Sequence, residues 1–285
     1  MNLRKAVITA AGKNQHTLPL QTFVDRDGQQ KSALRIIIEE ALSAGAEEIA
    51  LIICPGDEAA YQNAAGRTSA ELHFIEQPQP RGYGDALHRA RDFVKDEPFI
   101  HLVSDHLYVS RQPQRCAQQL AEIARSASCA VSAVQATREN MLPYYGAVGG
   151  KGVPGQQKLY VVDNVLEKPT PTAAEQELLV PGLRAGHYLC FFGLHILTPA
   201  VLEILGEQLE SRKGENTAPV QLSSALAVLA RRERYLACEL PGRRYNMGVK
   251  FGILMAQLAL ALAGREREEV LAQIVEILAS RQEEG

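Results

Sequence analysis

Short, fully apolar runs alternate along the chain with stretches whose apolar residues return every three or four positions. Residues 5–10 (KAVITA) form the first run and lead into Ala10-Ala11-Gly12, which predicts a buried strand followed by a tight turn. Between residues 33 and 44, Leu34, Ile37, Ile38, Ala41 and Leu42 share one stripe, the spacing of an amphipathic helix. Gly45 stops that helix, and residues 49–54 are a second apolar strand closed by Pro55-Gly56. A strand over 72–75, a helix from Gly84 to about Val94 and a strand over 99–104 come next. Such β-α-β-α-β alternation predicts a parallel sheet with helices on both faces, extended by a helix over 113–126 and a strand over 130–136.

The middle of the chain changes character. Residues 143–170 hold five glycines and three prolines around the short runs 145–148 and 158–162, which read as antiparallel strands inserted beside the main sheet. A strand over 188–194 precedes a helix starting near Pro199, and the remainder is helical over 220–231, 249–263 and 267–280. The helix 249–263 is apolar nearly all round and too short to span a bilayer, so it belongs to a core or to a subunit interface. The expectation is an α/β protein with a mixed, mostly parallel central sheet, an antiparallel insertion and C-terminal helices. No linker rich in Pro, Gly or Ser divides the chain, so residues 1–285 read as a single domain whose C-terminal helical segment covers about 249–283.

Composition narrows the class. Hydrophobic residues at 46% and charged residues at 22% are the ordinary globular mix and exclude a disordered or fibrous chain. A net charge of −3 argues against nucleic-acid binding, which needs a basic surface. The opening MNLRKAVITAAGK is too brief an apolar run for a signal peptide, and no long apolar stretch reads as a membrane span. Cys54, Cys116, Cys129, Cys190 and Cys238 are scattered without a C-x-x-C pair, the pattern of reduced thiols in a cytoplasmic protein.

Open α/β sheets bind ligands at the carboxyl ends of their strands, so four strand ends carry the candidate chemistry. Ala11-Gly12 with the loop behind it lets backbone N–H groups approach a base or phosphate, although a tight turn needs the same glycine. The segment from Gln77 to Ala86 places Gly82 and Gly84 just before a helix start, which favours an anion or an acceptor-rich ring. At Ser104-Asp105-His106 an apolar strand ends in a carboxylate suited to Mg²⁺, or to capping the next turn. His106 reads as a turn residue, and His73, His88, His101, His187 and His195 as packing or surface groups. Glu167-Lys168-Pro169 is a charge pair held by a proline.

Taken in order, these elements resemble the sugar-phosphate nucleotidyltransferases, most closely the bacterial UTP–glucose-1-phosphate uridylyltransferases. The resemblance rests on the AAG opening, VDRDGQQKSALRIIIEEALSAGAEEI, Q-x-x-x-x-G-x-G-x-A, the strand-end Asp, YYGAVGG, VLEKP, AGHYLCFFGLHIL and RRYNMGVKFG. It implies a Rossmann-like nucleotidyltransferase fold and transfer of a uridylyl group from UTP to glucose 1-phosphate, with Mg²⁺ as cofactor and UDP-glucose and pyrophosphate as products. By position, Ala11 and Gly12 would line the base pocket and Gln77 and Gly82 read the uracil. Asp105 would hold the metal, Gly146 and Glu167 the sugar hydroxyls, and Lys168 the sugar phosphate, while Lys250 matches a family lysine near the phosphates. A homo-oligomer is implied as well.

The triphosphate side departs from the family pattern. Where the family has G-x-G-T-R, the chain reads Gly12-Lys13-Asn14-Gln15-His16: Asn14 replaces the second glycine, Gln15 the threonine and His16 the arginine. The P-K segment is shortened, and the second metal carboxylate is replaced by Asn246, which offers an amide oxygen without charge. Lys13 is the cation left to reach the triphosphate; Arg26 and Lys31, the next nearest, lie past the loop. Loss of one well-placed charge stabiliser costs on the order of 10²–10³ in rate. The sequence therefore supports an enzyme of this family, with a catalytically weakened UDP-sugar-binding relative, a sensor or a partner of an active paralogue, as the alternative.

Overall fold

The computed structural model describes residues 1–12, 15–212 and 219–280. The chain opens with β1 (Lys5–Thr9), a hairpin of β2 (Thr22–Val24) and β3 (Gln30–Ser32), and α1 (Ala33–Ser43). Then come β4 (Glu48–Ile53), α2 (Glu58–Ala65), β5 (Glu71–Glu76), α3 (Tyr83–His88), α4 (Arg91–Val94), β6 (Phe99–Val103) and β7 (His106–Ser110). The middle holds α5 (Cys116–Ala127), β8 (Ala130–Arg138), β9 (Gly146–Gly152), β10 (Leu159–Glu167), α6 (Pro171–Glu177) and β11 (His187–Leu197). The last elements are α7 (Ala200–Glu210), α8 (Leu222–Arg232), β12 (Tyr235–Glu239), β13 (Gly242–Asn246), α9 (Gly252–Leu262) and α10 (Arg267–Ser280).

Nine strands join in one mixed sheet in the order β5-β4-β1-β6-β11-β8-β12-β10-β9. β5, β4, β1 and β6 are parallel, β12 is parallel to β8, and β11 and β10 run against their neighbours. Apolar residues on both sides of a strand bury it on both faces: Ala6 and Ile8 of β1 enter the core beneath α1 and α5, and Val7 enters the core beneath α7 and α8. The N-terminal half of β11 also pairs with β9, Leu189 opposite Val148, so the antiparallel β9–β10 insertion reaches the carboxyl side of β6 and faces the ends of the parallel strands.

Local chemistry fixes the boundaries. Ser32 accepts a hydrogen bond from the Arg35 N–H at 2.9 Å and caps α1, and Gly45 just beyond its end takes φ 102°. The helix expected over 84–94 is broken: α3 ends at His88 and α4 begins at Arg91, with Ala90 between them and buried. The hairpin β2–β3 and the antiparallel pair of the sequence-distant β7 and β13, together with α2, α6 and β12, carry no long apolar period and are not predicted by the pattern. The expected helix 249–263 is α9, and it divides between the two expected destinations: one stripe, with Ala256 and Leu260, joins the core, and the rest faces outward. Gly252, Ala256 and Leu260 are buried, whereas Phe251, Ile253, Leu254 and Met255 are exposed, and no residue of α10 is buried. Among the described residues no helix is long and apolar enough to cross a membrane. All five cysteines are unpaired.

Candidate active site

A cavity of about 390 Å³ opens at the carboxyl ends of β1, β5 and β6. Ala11, Gly12, Gln77, Gly82, Asp105, Gly146, Glu167 and Lys168 all line it, so residues spread over more than half the chain meet at one wall. Lys13 lies outside the described residues. Asn246 and Lys250 do not line the cavity. The Lys250 ammonium sits 5.1 Å from the centre of the exposed Phe251 ring, outside the pocket.

On one side stands Gln77. Its amide N–H₂ donates to the Asp85 carboxylate at 2.7 Å and to the Gly82 carbonyl at 3.2 Å, which fixes the amide and leaves its oxygen without a protein partner among the described residues. Gly82 has φ 110°, and a Cβ there would lie 2.6 Å from Pro219 Cβ and 2.8 Å from the Val220 carbonyl oxygen, so only glycine fits between the loop and the start of α8. Gly84 N–H donates to the Val220 carbonyl at 2.9 Å and closes the same seam. Ser223, in the first turn of α8, lines the cavity with a buried hydroxyl that has no partner among the described residues.

In the middle, Asp105 follows β6 and is half-buried. Burial alone would raise its carboxyl; the charge of His106 and a 2.8 Å hydrogen bond from His106 Nδ1 outweigh this and hold it below the usual aspartate value. His106 Nε2 is buried in the pocket wall without a partner among the described residues. The loop after β13 is tied to the same place: Asn246 pairs with His106, and the Met247 N–H donates to the Asp105 carbonyl at 2.8 Å. The Asn246 amide oxygen accepts the Gly248 N–H at 2.8 Å and is committed to that turn. A Cβ on Gly248 would sit 2.5 Å from Gln15 Nε2, so the Gln15 side chain fills the space between this turn and the cavity that it also lines.

On the far side, Gly146 pairs with Glu167 across β9 and β10. A Cβ on Gly146 would meet the Phe191 ring at 2.9 Å and Glu167 Oε2 at 3.0 Å. Glu167 and Lys168 are exposed to the cavity and, among the described residues, neither makes an ion pair, so the expected charge pair is two separate groups facing the same space. Lys168 has φ 45°, and its N–H donates to the Tyr145 carbonyl at 3.2 Å. Tyr145 itself lies on the buried Arg244 guanidinium, 3.8 Å from ring centre to Cζ. Lys31 is no free cation: Asp25, Asp27 and Glu39 surround its ammonium at 2.9, 2.7 and 3.0 Å.

The donor set suits one divalent cation through the Asp105 carboxylate, completed by ligand phosphates; Asn246 supplies no second carboxylate. His101 is buried rather than ligating, held between Tyr83 and the Val7 carbonyl, and His195 is bonded to Ser132 and stacked on His101 at 5.7 Å. Sequence reasoning passed over Gln15, His106 and Ser223 as pocket residues. Only His106 carried a signal, its place beside the strand-end Asp.

Residues 6–240 match the nucleotidyl transferase family. Two Streptococcus pyogenes proteins, UTP–glucose-1-phosphate uridylyltransferase 2 and UTP–glucose-1-phosphate uridylyltransferase 1, are each 30% identical to this chain over 96% of it, covering 96% and 93% of their own lengths. Among solved structures, a UDP-glucose pyrophosphorylase complexed with UDP-glucose superposes with a TM-score of 0.73 at 23% identity, covering 90% of this chain and 98% of the other. A UTP-bound UGPase from Acinetobacter baumannii gives 0.72 at 21% identity, covering 96% and 98%. The chain belongs to the nucleotidyl transferase family and has that family's α/β fold. Enzymes of this kind generally use a divalent metal.

Proposed function

We propose that this protein transfers a uridylyl group from UTP to glucose 1-phosphate, forming UDP-glucose and releasing pyrophosphate, with Mg²⁺ as its metal. The observation that carries the reading is the three-part cavity: a fixed amide oxygen on Gln77, the Asp105 carboxylate after the central β6, and Glu167 with Lys168 across the sheet. The freed oxygen of Gln77 suits a ring N–H donor such as that of uracil and would meet an acceptor in cytosine. Gly82 and Ala11 offer backbone at the same ring. Gly146 and Glu167 stand where sugar hydroxyls need donors and acceptors, and the Lys168 ammonium faces the sugar phosphate.

In the reaction a phosphate oxygen of the sugar attacks the α-phosphorus of UTP, the bond to the β-phosphate oxygen breaks, and pyrophosphate leaves. Two polyanions must be brought together, so catalysis is positioning and neutralisation of charge rather than covalent work by side chains. Mg²⁺ supplies positive charge to the phosphate oxygens, and Asp105 would hold it. Lys168 orients the nucleophile. A cytoplasmic location and one catalytic domain spanning the chain complete this reading, supported by the five unpaired cysteines and the single nine-stranded sheet.

Two observations favour a second reading, a UDP-sugar-binding relative with little turnover: Asn246 spends its oxygen on a turn, and Lys250 stands outside the pocket. The deciding experiment is pyrophosphate release from UTP, glucose 1-phosphate and Mg²⁺, run beside calorimetric titration of UDP-glucose. Release that falls on the order of 10²-fold or more in Lys168→Ala and Asp105→Ala supports the transferase. Binding of UDP-glucose without release supports the second reading, and neither release nor binding overturns both.

A further inference from the structure

Beside the cavity, and not part of it, three metal-ligating side chains converge. His16 lies in the loop after β1, Cys54 directly follows β4, and Asp57 is the N-cap of α2; one donor atom from each lies within 4.8 Å of the others, and all three residues are half-buried. His16 Nδ1 and Asp57 Oδ2 are 2.8 Å apart. Asp57 occupies the N-cap position of α2 yet makes no side-chain cap bond, so its carboxylate forgoes the usual helix N–H and turns to the imidazole. The backbone of His16 is pinned by Tyr61, whose hydroxyl donates to the His16 carbonyl at 2.6 Å. The Cys54 thiol makes only a long contact to the Ala11 carbonyl, 3.5 Å. Thiol, imidazole and carboxylate on three separate elements are a mixed S/N/O set, which selects borderline-soft divalent ions over Mg²⁺.

We propose that His16, Cys54 and Asp57 form a binding site for a divalent ion of the Zn²⁺ class, with a fourth position open to solvent. Bonds of about 2.0–2.3 Å around a tetrahedral ion place its ligand atoms about 3.5 Å apart, so the 2.8 Å His16–Asp57 pair opens on binding and no pair of donor atoms starts more than 4.8 Å apart. The thiol is protonated in the ion-free state, since burial and the nearby Asp57 charge push it up. Binding forms the metal–sulfur bond and releases the thiol proton to solvent; the proton that His16 Nδ1 shares with Asp57 in the ion-free state is given up to solvent as the ring takes the Nε2–H tautomer and coordinates through Nδ1. His16 directly follows Gln15, and Cys54 contacts the Ala11 carbonyl, so an ion held here would adjoin two residues of the cavity wall.

The test is titration of the purified, metal-stripped protein with Co²⁺, read by absorption. The expected result is a thiolate-to-cobalt charge-transfer band at one equivalent, displaced by Zn²⁺, lost in Cys54→Ser and weakened at least tenfold in His16→Ala. The band persists in Asp105→Asn, which separates this site from the Mg²⁺ position. Thermal melting of Cys54→Ser checks that it is folded. No band in the wild type, or a band that survives Cys54→Ser, overturns the site. Neither result depends on whether the protein transfers uridylyl groups.

Discussion

His101 and His195 show how a residue's surroundings decide its charge. Both are buried in the sheet, His195 in the cavity wall and His101 stacked behind it, and burial pushes His101 down to about 4 and His195 well below the ordinary histidine value. A histidine kept neutral by folding binds fewer protons than the unfolded chain wherever the unfolded ring is charged. Its contribution to stability is therefore intact above the unfolded value and is lost as pH falls toward the folded one. From pH 6.5 to about 4 this costs roughly 3 kcal/mol for His101. Denaturant unfolding at a series of pH values should show this loss in the wild type and a flatter profile in His101→Gln; equal slopes would refute the assignment. Asp105 is held charged rather than neutral: the His106 charge and hydrogen bond keep its carboxyl low, so its contribution too is lost as pH falls, and its charge persists through the neutral range in which a metal must be held.

At the scale of elements, the site depends on one seam, where the loop after β5 meets the start of α8. Gly82 is its tightest point, with positive φ and two contacts below 3.0 Å for any added Cβ. Gly82→Ala should cost about 1–3 kcal/mol of stability and weaken UDP-glucose binding, because the loop must move the carbonyl that holds Gln77. Thermal melting and calorimetry on the variant measure both, and an unchanged melting point would exclude a strained seam. The same seam marks what the sequence could disclose. Gln77 and Asp105 were legible because each follows an apolar run, and parallel strands place such ends together; Glu167 ends the antiparallel β10 and was legible only from the Glu167-Lys168-Pro169 run and the family resemblance. Ser223 was not legible: it reaches the cavity only because α8 crosses from far along the chain. Nor was the commitment of Asn246 to its own turn, since sequence records a side chain's identity and not the partner that occupies it. The split between α3 and α4 stayed hidden for a similar reason, apolar residues continuing through the break.

For the whole molecule, the unusual surface is the C-terminal pair of helices. Phe251, Leu254 and Met255 of the α9 region are 65%, 54% and 50% exposed, and Val275, Ile277 and Leu278 of α10 are more than half exposed. Contiguous apolar exposure of this kind marks an interaction surface, and a second copy of this chain is the occupant that the expected homo-oligomer requires. Sedimentation velocity should show the wild type larger than a monomer and a Leu254→Glu/Met255→Glu double variant shifted to monomer. A monomeric wild type would remove the idea. The face lies on the elements that follow β13, and β13 pairs with β7 directly after Asp105, so a bound neighbour and the metal carboxylate share one stretch of backbone.

The turn at Asn246 has a consequence for descent as well as for chemistry. The amide oxygen that accepts the Gly248 N–H could be a carboxylate oxygen with the same geometry, because Asn and Asp cap such turns alike. Codons for the two residues differ by a single base. A lineage carrying this fold can thus gain or lose a negative charge beside Asp105 in one mutational step, with the architecture indifferent to the change, so that activity can drift among its members while their shape stays the same.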